Sequence, residues 1–116
     1  MNVPVPAYNP GDIVVVEFPF TDVSQTKKRP ALILSNQTIN QTGDYLLVMI
    51  TSQVKYDGLS IPIQPTDFIL DPLPLRSFVR FYKVFLLNES LIIRKFTTVS
   101  ETFRQTVVSE LTKLLR

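Results

Sequence analysis

The stretch Lys27-Lys28-Arg29-Pro30-Ala31-Leu32-Ile33-Leu34 joins the most basic run of the chain directly to an apolar run. Pro30 fixes its own φ and keeps Arg29 out of helical angles, so we predict that Arg29 is extended at the start of a strand. A guanidinium held there suits bidentate hydrogen bonding to a phosphate. Lys27 and Lys28, which are predicted on the preceding loop, act as less directional charges. Because such a run is also typical of a solvated turn, the run alone leaves both interpretations open.

Length and composition predict one folded domain, residues 1–116, whose first ten residues form an irregular, proline-rich arm. A hydrophobic fraction of 45% with 19% charged residues is typical of a folded protein rather than a disordered one. The net charge of +2 is too small to indicate nucleic-acid binding by itself. The sequence has no signal-peptide pattern and no apolar run of membrane length, so we expect a cytoplasmic protein.

The sequence contains no cysteine and no histidine. This excludes disulfides, a thiol nucleophile, a Cys/His zinc site and a histidine general base. The acidic residues are scattered along the sequence, with no close pair that would indicate two metals. We therefore expect neither a metal nor a cofactor.

Short apolar runs separated by polar or proline-rich segments predict a mainly β protein. Pro62 demotes one predicted strand to a sheet edge, and residues 37–44 are predicted to be a loop. The predicted strands cover residues 12–18, 29–36, 45–51, 58–63, 76–87 and 91–95.

The last part of the chain changes to a helical period, with Phe103, Val107 and Leu111 spaced four apart. Thr98, followed three residues later by Glu101, predicts the start of this amphipathic helix as a capping box. Five or six short strands with one late helix predict a small, strongly bent antiparallel sheet or barrel that the helix closes on one face.

Four blocks of sequence stand out by their order and spacing. They are Gly11-Asp12-Ile13-Val14, Phe18-Pro19-Phe20-Thr21-Asp22, Lys28-Arg29-Pro30-Ala31-Leu32-Ile33-Leu34-Ser35 and Ile50-Thr51-Ser52-Gln53. Together they resemble the MazF/PemK family of toxin ribonucleases. The resemblance implies a small SH3-like barrel of five to seven strands, of the MazF/PemK/CcdB type, with one C-terminal helix. It also implies a homodimer that cuts single-stranded mRNA, is silenced by an antitoxin and binds DNA together with that antitoxin.

The catalytic pair that the resemblance implies is Arg29 and Thr51. Cleavage by the RNA's own 2′-hydroxyl needs alignment of that attack and an offset for the growing phosphoryl charge, and an arginine and a hydroxyl supply these without a metal. RNA contacts are expected from polar, cationic and aromatic residues near this pair, namely Phe20, Thr21, Lys27, Lys28, Ser52, Gln53 and Arg80.

The general base is left open by the sequence, because arginine, with a pKa above about 12, is a poor base. Many members of the family have a glutamate in the loop before the Arg-Pro block, where this chain has no acid. Either Asp22 or Glu17 therefore serves as the base, or Arg29 works in an unusual way. The alternative function is a non-catalytic toxin of the same fold that poisons a protein such as DNA gyrase, or an inert interaction module.

Overall fold

Apolar and β-branched runs form six strands in the computed structural model, which describes residues 5–19 and 26–116. The strands are β1 (Asp12–Pro19), β2 (Thr26–Ile33), β3 (Asp44–Thr51), β4 (Ser60–Pro62), β5 (Phe78–Asn88) and β6 (Ile92–Thr98). All neighbours are antiparallel, in the order β4-β5-β3-β2-β1-β6. The helices are α1 (Gln37–Asn40) and α2 (Glu101–Lys113), and single 3₁₀ turns cover Pro65–Asp67 and Glu89–Leu91.

The two edges of the sheet are joined by the segment that follows β4. Phe68 pairs with Val99 in an isolated bridge, and the Ile69 N–H donates to the carbonyl of Thr98 at 3.0 Å. The Ser100 N–H donates to the carbonyl of Asp67 at 2.7 Å. The sheet is therefore curled and barrel-like, which confirms the predicted fold class of a mainly β barrel with one principal C-terminal helix.

Alternating side chains along the central strands build a core on each face of the sheet. On one face α2 packs through Phe103 and Val107 against Ile13, Leu32 and Val48. The other face buries Val14, Val16, Ala31, Ile33, Tyr45, Leu47 and Ile92. Because β3 supplies both cores, its near-continuous apolar sequence was correctly predicted to be a strand buried on both faces.

Strand β2 begins earlier than predicted, at Thr26, so the prediction that Lys27 and Lys28 lie on a loop is wrong. Pairing with β1 is the reason, because Lys27 lies opposite Phe18 and Lys28 opposite Glu17. Cross-strand hydrogen bonding therefore carries the basic run into the sheet.

Two cap residues also correct the sequence prediction. The segment predicted as a loop over residues 37–44 contains α1, because the Asn36 side chain accepts a hydrogen bond from the Thr38 N–H at 3.0 Å. Helix α2 is capped by Ser100, which accepts from the Phe103 N–H, and not by Thr98. Thr98 ends β6, where its hydroxyl donates to buried Asp12 at 2.9 Å.

Candidate functional site

Arg29 and Thr51 lie on adjacent strands at the same end of the sheet. The β2–β3 register pairs Ala31 with Met49, and continuing that antiparallel register by two residues puts Arg29 across from Thr51. Both residues are half-buried. Pro30, which lacks an N–H, lies between Val15 of β1 and the open end of the β2–β3 ladder. The strand pairing thus places the two residues side by side at the same end of the sheet.

Two hollows open at this end of the sheet and share Arg29, Ile50, Thr51 and Gln53 in their linings. The first has a volume of about 550 Å³ and continues over Phe18, Met49, Lys55, Arg80, Lys83, Val84 and Phe85. The second has a volume of about 270 Å³ and continues over Val15, Lys28, Pro30, Ser52, Leu73, Pro74, Leu75, Ser77 and Phe96. The shared residues therefore form the lip between them.

The first hollow is cationic. Arg29, Lys55, Arg80 and Lys83 are the charged residues that line it in the described part of the chain. The second is mostly apolar, and its charged lining residues are Lys28 and the shared Arg29. A cationic cavity next to an apolar cleft suits a strand of nucleic acid, whose phosphates and bases need these two kinds of surface.

The Thr51 side chain is oriented by the chain just beyond it. The Gln53 N–H donates to Thr51 Oγ1 at 3.1 Å, so the hydroxyl oxygen acts as an acceptor for the backbone. Its own proton stays available to donate to an acceptor in the hollows, because a hydroxyl donates once and accepts twice.

A β-bulge in β5 shapes the floor of the first hollow. Met49 pairs with Arg80 while the preceding residue, Val48, pairs with Val84, so residues 81–83 are extra on the β5 side. Such a bulge bends its strand and re-aims side chains, and bulges are common beside functional sites. It separates Arg80 from Lys83 and Val84 along the wall of the cavity.

Arg80 is buried, with 6% of its surface exposed, and its guanidinium is held by other side chains. Nη1 lies 3.0 Å from Asp57 Oδ1 and 2.8 Å from Ser60 Oγ, and Nη2 lies 2.9 Å from Asp57 Oδ2 and 2.7 Å from the Tyr82 hydroxyl. The hydrogen bonds from Arg80 lower the pKa of Asp57, and those to Asp57 raise the pKa of Arg80. The pair is therefore an ion pair at neutral pH.

The remaining residues singled out from the sequence fall into three groups. Ser52 and Lys28 line the second hollow. Lys27 and exposed Glu17 lie on the paired β1 and β2 strands, outside the linings of both hollows. Outside the described residues lie Phe20, Thr21 and Asp22.

Sequence reasoning missed Lys55 as a lining residue and Asp57 as the partner of Arg80. Lys55 follows the Thr51-Ser52-Gln53 block by two residues, so its proximity to that block was a usable signal. The Asp57–Arg80 pair spans 23 residues and lies beside the β4–β5 pairing of Ser60 with Arg80, which no local pattern indicates.

Within residues 5–19 and 26–116, no group of three acidic side chains is close enough to hold a metal ion. Among the helices of the same residues, none has the length and apolar character needed to cross a membrane.

Solved structures with the same fold include several toxins. An endoribonuclease in complex with its cognate antitoxin from a mycobacterial species matches with a TM-score of 0.75 and 19% identity, over 94% of this chain and 95% of that one. A MazE-MazF structure from Deinococcus radiodurans matches with a TM-score of 0.74 and 20% identity, over 98% and 97% of the two chains. Toxin MazF-mt6 of Mycobacterium tuberculosis matches with a TM-score of 0.65 and 16% identity, over 86% of this chain and 90% of that one.

At the level of sequence, a search of curated proteins found no significant match. A family model, described as PemK-like, MazF-like toxin of type II toxin-antitoxin system, matches residues 9–115, which is nearly the whole chain. The chain therefore belongs to the PemK-like, MazF-like family of toxins of type II toxin-antitoxin systems.

Proposed function

We propose that this toxin is a metal-independent endoribonuclease that cuts single-stranded mRNA at particular sequences. The observation that carries the proposal is the placement of Arg29 and Thr51, which line the same two hollows from adjacent strands. The cationic character of the larger hollow supports it, because affinity for RNA depends largely on contacts between phosphates and cations.

In the proposed reaction the 2′-hydroxyl oxygen of the RNA attacks the adjacent phosphorus. A bond from phosphorus to O2′ forms, and the bond from phosphorus to the 5′-oxygen of the next nucleotide breaks. The 2′-hydroxyl proton passes to a base, and the departing oxygen takes up a proton. The products are a 2′,3′-cyclic phosphate end and a 5′-hydroxyl end.

Arg29 is proposed to offset the negative charge that grows on the phosphoryl oxygens, with Thr51 donating its free proton to one of them. Donors fixed in place before the reaction need little rearrangement as the charge develops. Arg29 lies in a strand, and Thr51 is oriented by the Gln53 N–H at 3.1 Å. The backbone of Arg29 is thus held by strand pairing, and the Thr51 hydroxyl is held by a backbone N–H.

The general base is proposed to be the carboxylate of either Asp22 or Glu17. Glu17 is opposite Lys28 in the β1–β2 register, whereas Arg29 is opposite Val16. Since side chains alternate across a strand, Glu17 and Arg29 point to opposite faces. This favours Asp22. The variants Asp22→Asn and Glu17→Gln separate the two carboxylates, because loss of the base removes the rise of the cleavage rate with pH on the acidic side of the profile.

RNA contacts are proposed from the residues that surround the catalytic pair. Lys28, Ser52 and Gln53 line the hollows, and Lys27 lies in the strand beside them. The proposed set also includes Phe20 and Thr21, which lie outside the described residues. Single-stranded RNA is recognised mainly through stacking of its unpaired bases on aromatic or arginine side chains and through hydrogen bonds to those bases.

The partners proposed for the chain are a second copy of itself and a cognate antitoxin. The antitoxin proposal rests on the family, which is one of type II toxin-antitoxin systems, and on the solved toxin–antitoxin complexes of the same fold. Light scattering of the purified toxin, alone and with the co-expressed antitoxin, measures both assemblies directly. DNA binding is proposed only for the complex with the antitoxin.

The test is incubation of the purified protein with a single-stranded RNA of mixed sequence in EDTA, with a DNA of the same sequence as the control. We expect the RNA to be cut at a recurring sequence and the DNA to stay intact, because DNA has no 2′-hydroxyl. A single 2′-deoxy substitution at a mapped site should block that cut. Intact RNA would overturn the proposal. If expression of the protein nevertheless arrested the growth of cells, the result would indicate a toxin that acts on a protein such as gyrase.

A further inference from the structure

The segment from Ser52 to Gly58 leaves β3 at the catalytic pair and forms one wall of the first hollow. Gln53 and Lys55 of this segment line the hollow. All seven of its residues are exposed, and Tyr56 exposes 97% of its surface. A segment with so little burial has little apolar packing to hold it in place.

The side-chain tie between this segment and β5, in the described part of the chain, is the Asp57–Arg80 ion pair. Asp57 also accepts a hydrogen bond from the Leu59 N–H at 3.0 Å, which fixes the turn that leads into β4. Arg80 is buried in the strand that floors the hollow. The ion pair thus links the exposed Ser52–Gly58 segment to a residue that is buried in β5.

The hydrogen bonds of Arg80 leave little for a phosphate. A guanidinium has four terminal N–H groups, and the terminal nitrogens of Arg80 make four contacts, two with Asp57 and one each with Ser60 and Tyr82. The two-pronged geometry that grips a phosphate is therefore already used on a carboxylate.

We propose that Arg80 and Asp57 are positioning residues that hold the Ser52–Gly58 segment against the hollow, and that Arg80 acts on RNA only through that segment. This inference rests on the proposed function for its RNA arm and replaces the direct RNA contact that the sequence predicted for Arg80. Lys55 and Gln53 are the lining residues that the pair keeps in place.

The first experiment measures the segment without RNA. Trypsin cleaves after Lys55, so mass spectrometry can follow that cut against the cut after Lys113 in the same molecule. Asp57→Asn and Arg80→Gln should each speed the cut after Lys55 by about fivefold or more, because local opening controls such cleavage. Asp71→Asn, a change at another exposed aspartate, is the matched control and should leave the rate unchanged. An unchanged rate in Asp57→Asn would overturn the inference, even if Arg80→Gln failed to fold.

The second experiment measures binding of an uncleavable 2′-deoxy oligonucleotide. If Arg80 held a phosphate directly, Asp57→Asn would free it and remove a negative charge, so binding would hold or strengthen. If the pair positions the segment, Asp57→Asn and Arg80→Gln should both weaken binding, by about fivefold or more, and the double variant should be no worse than either single one. Tighter binding by Asp57→Asn would overturn the positioning role. Failure of the wild type to bind would instead count against the proposed function, and the proteolysis result would still decide the tie.

Discussion

The Gln53 N–H donates to Thr51 Oγ1 at 3.1 Å, so the backbone of the segment after β3 orients the hydroxyl that the proposed reaction uses. The bond links two features that the sequence shows only as neighbours in the Ile50-Thr51-Ser52-Gln53 block. It fixes the oxygen as an acceptor and leaves the proton for the substrate. A change at Thr51 that keeps the hydroxyl should therefore behave differently from one that keeps only the shape.

Thr51→Val keeps the branched shape and removes the hydroxyl. We expect cleavage to fall by about 10²-fold or more, as the loss of one transition-state donor does in other enzymes. Thr51→Ser keeps the hydroxyl and should retain most of the activity. Cleavage rates on a defined transcript at saturating RNA measure both variants. Activity retained by Thr51→Val but lost by Thr51→Ser would show that the methyl group rather than the hydroxyl matters.

Arg29→Ala should lower cleavage by about 10²-fold or more without unfolding the protein, because the half-buried side chain stands at the open end of the β2–β3 ladder. Arg29→Lys should recover only part of the rate, since a lysine cannot form two parallel bonds to a phosphate. Lys113→Ala, which removes one positive charge at the end of α2, is the control for net charge. Turnover at the wild-type rate by Arg29→Ala would refute the assignment.

The strands with continuous apolar or alternating sequence were predictable to within a few residues. Strand β3 was predicted one residue short, and Pro62 correctly marked β4 as an edge strand. These strands can be recognised from their own sequence, because burial on one face leaves an alternation of period two and burial on both faces leaves an unbroken apolar run.

The features that sequence analysis missed all depend on partners distant in sequence or on a single cap. The start of β2 depends on pairing with β1, and α1 depends on the Asn36 side chain. For the candidate site, the sequence brought Arg29 and Thr51 together through a family resemblance. It did not indicate the Asp57–Arg80 ion pair, because that contact depends on the pairing of β4 with β5, in which Ser60 lies opposite Arg80, and not on any local pattern.

Phe103 anchors α2 on the sheet and exposes only 4% of its surface. It packs in the core that contains Ile13 and Val107. Phe103→Ala should lower the free energy of unfolding by about 3–5 kcal/mol, from lost burial and the cavity that it leaves. Leu115→Ala, at a residue 77% exposed, should change it by no more than about 0.5 kcal/mol. Urea denaturation followed by circular dichroism measures both, and similar midpoints for the two variants would contradict the packing described here.

Glu101 in the first turn of α2 should make the stability of the protein sensitive to acid. Hydrogen bonds from Arg104 lower the pKa of Glu101 to about 2, from an ordinary value of 4.5. Because the folded-state pKa is the lower one, the stabilisation is complete above about pH 4.5 and is lost as the pH falls towards 2. Its size should not exceed about 1 kcal/mol, since the Glu101 side chain is 61% exposed.

Glu101→Gln isolates this contribution from the other carboxylates. The difference in free energy of unfolding between wild type and Glu101→Gln should be largest near neutral pH and should shrink as the pH falls below about 4.5. Arg104 also donates to the carbonyl of Leu34 at 2.6 Å, so the same arginine links the first turns of α2 to the residue that follows β2. A difference that stays constant from neutral pH down to pH 2 would show that the Glu101 carboxylate is not held by Arg104 in solution, since an unperturbed carboxylate gives no pH-dependent term.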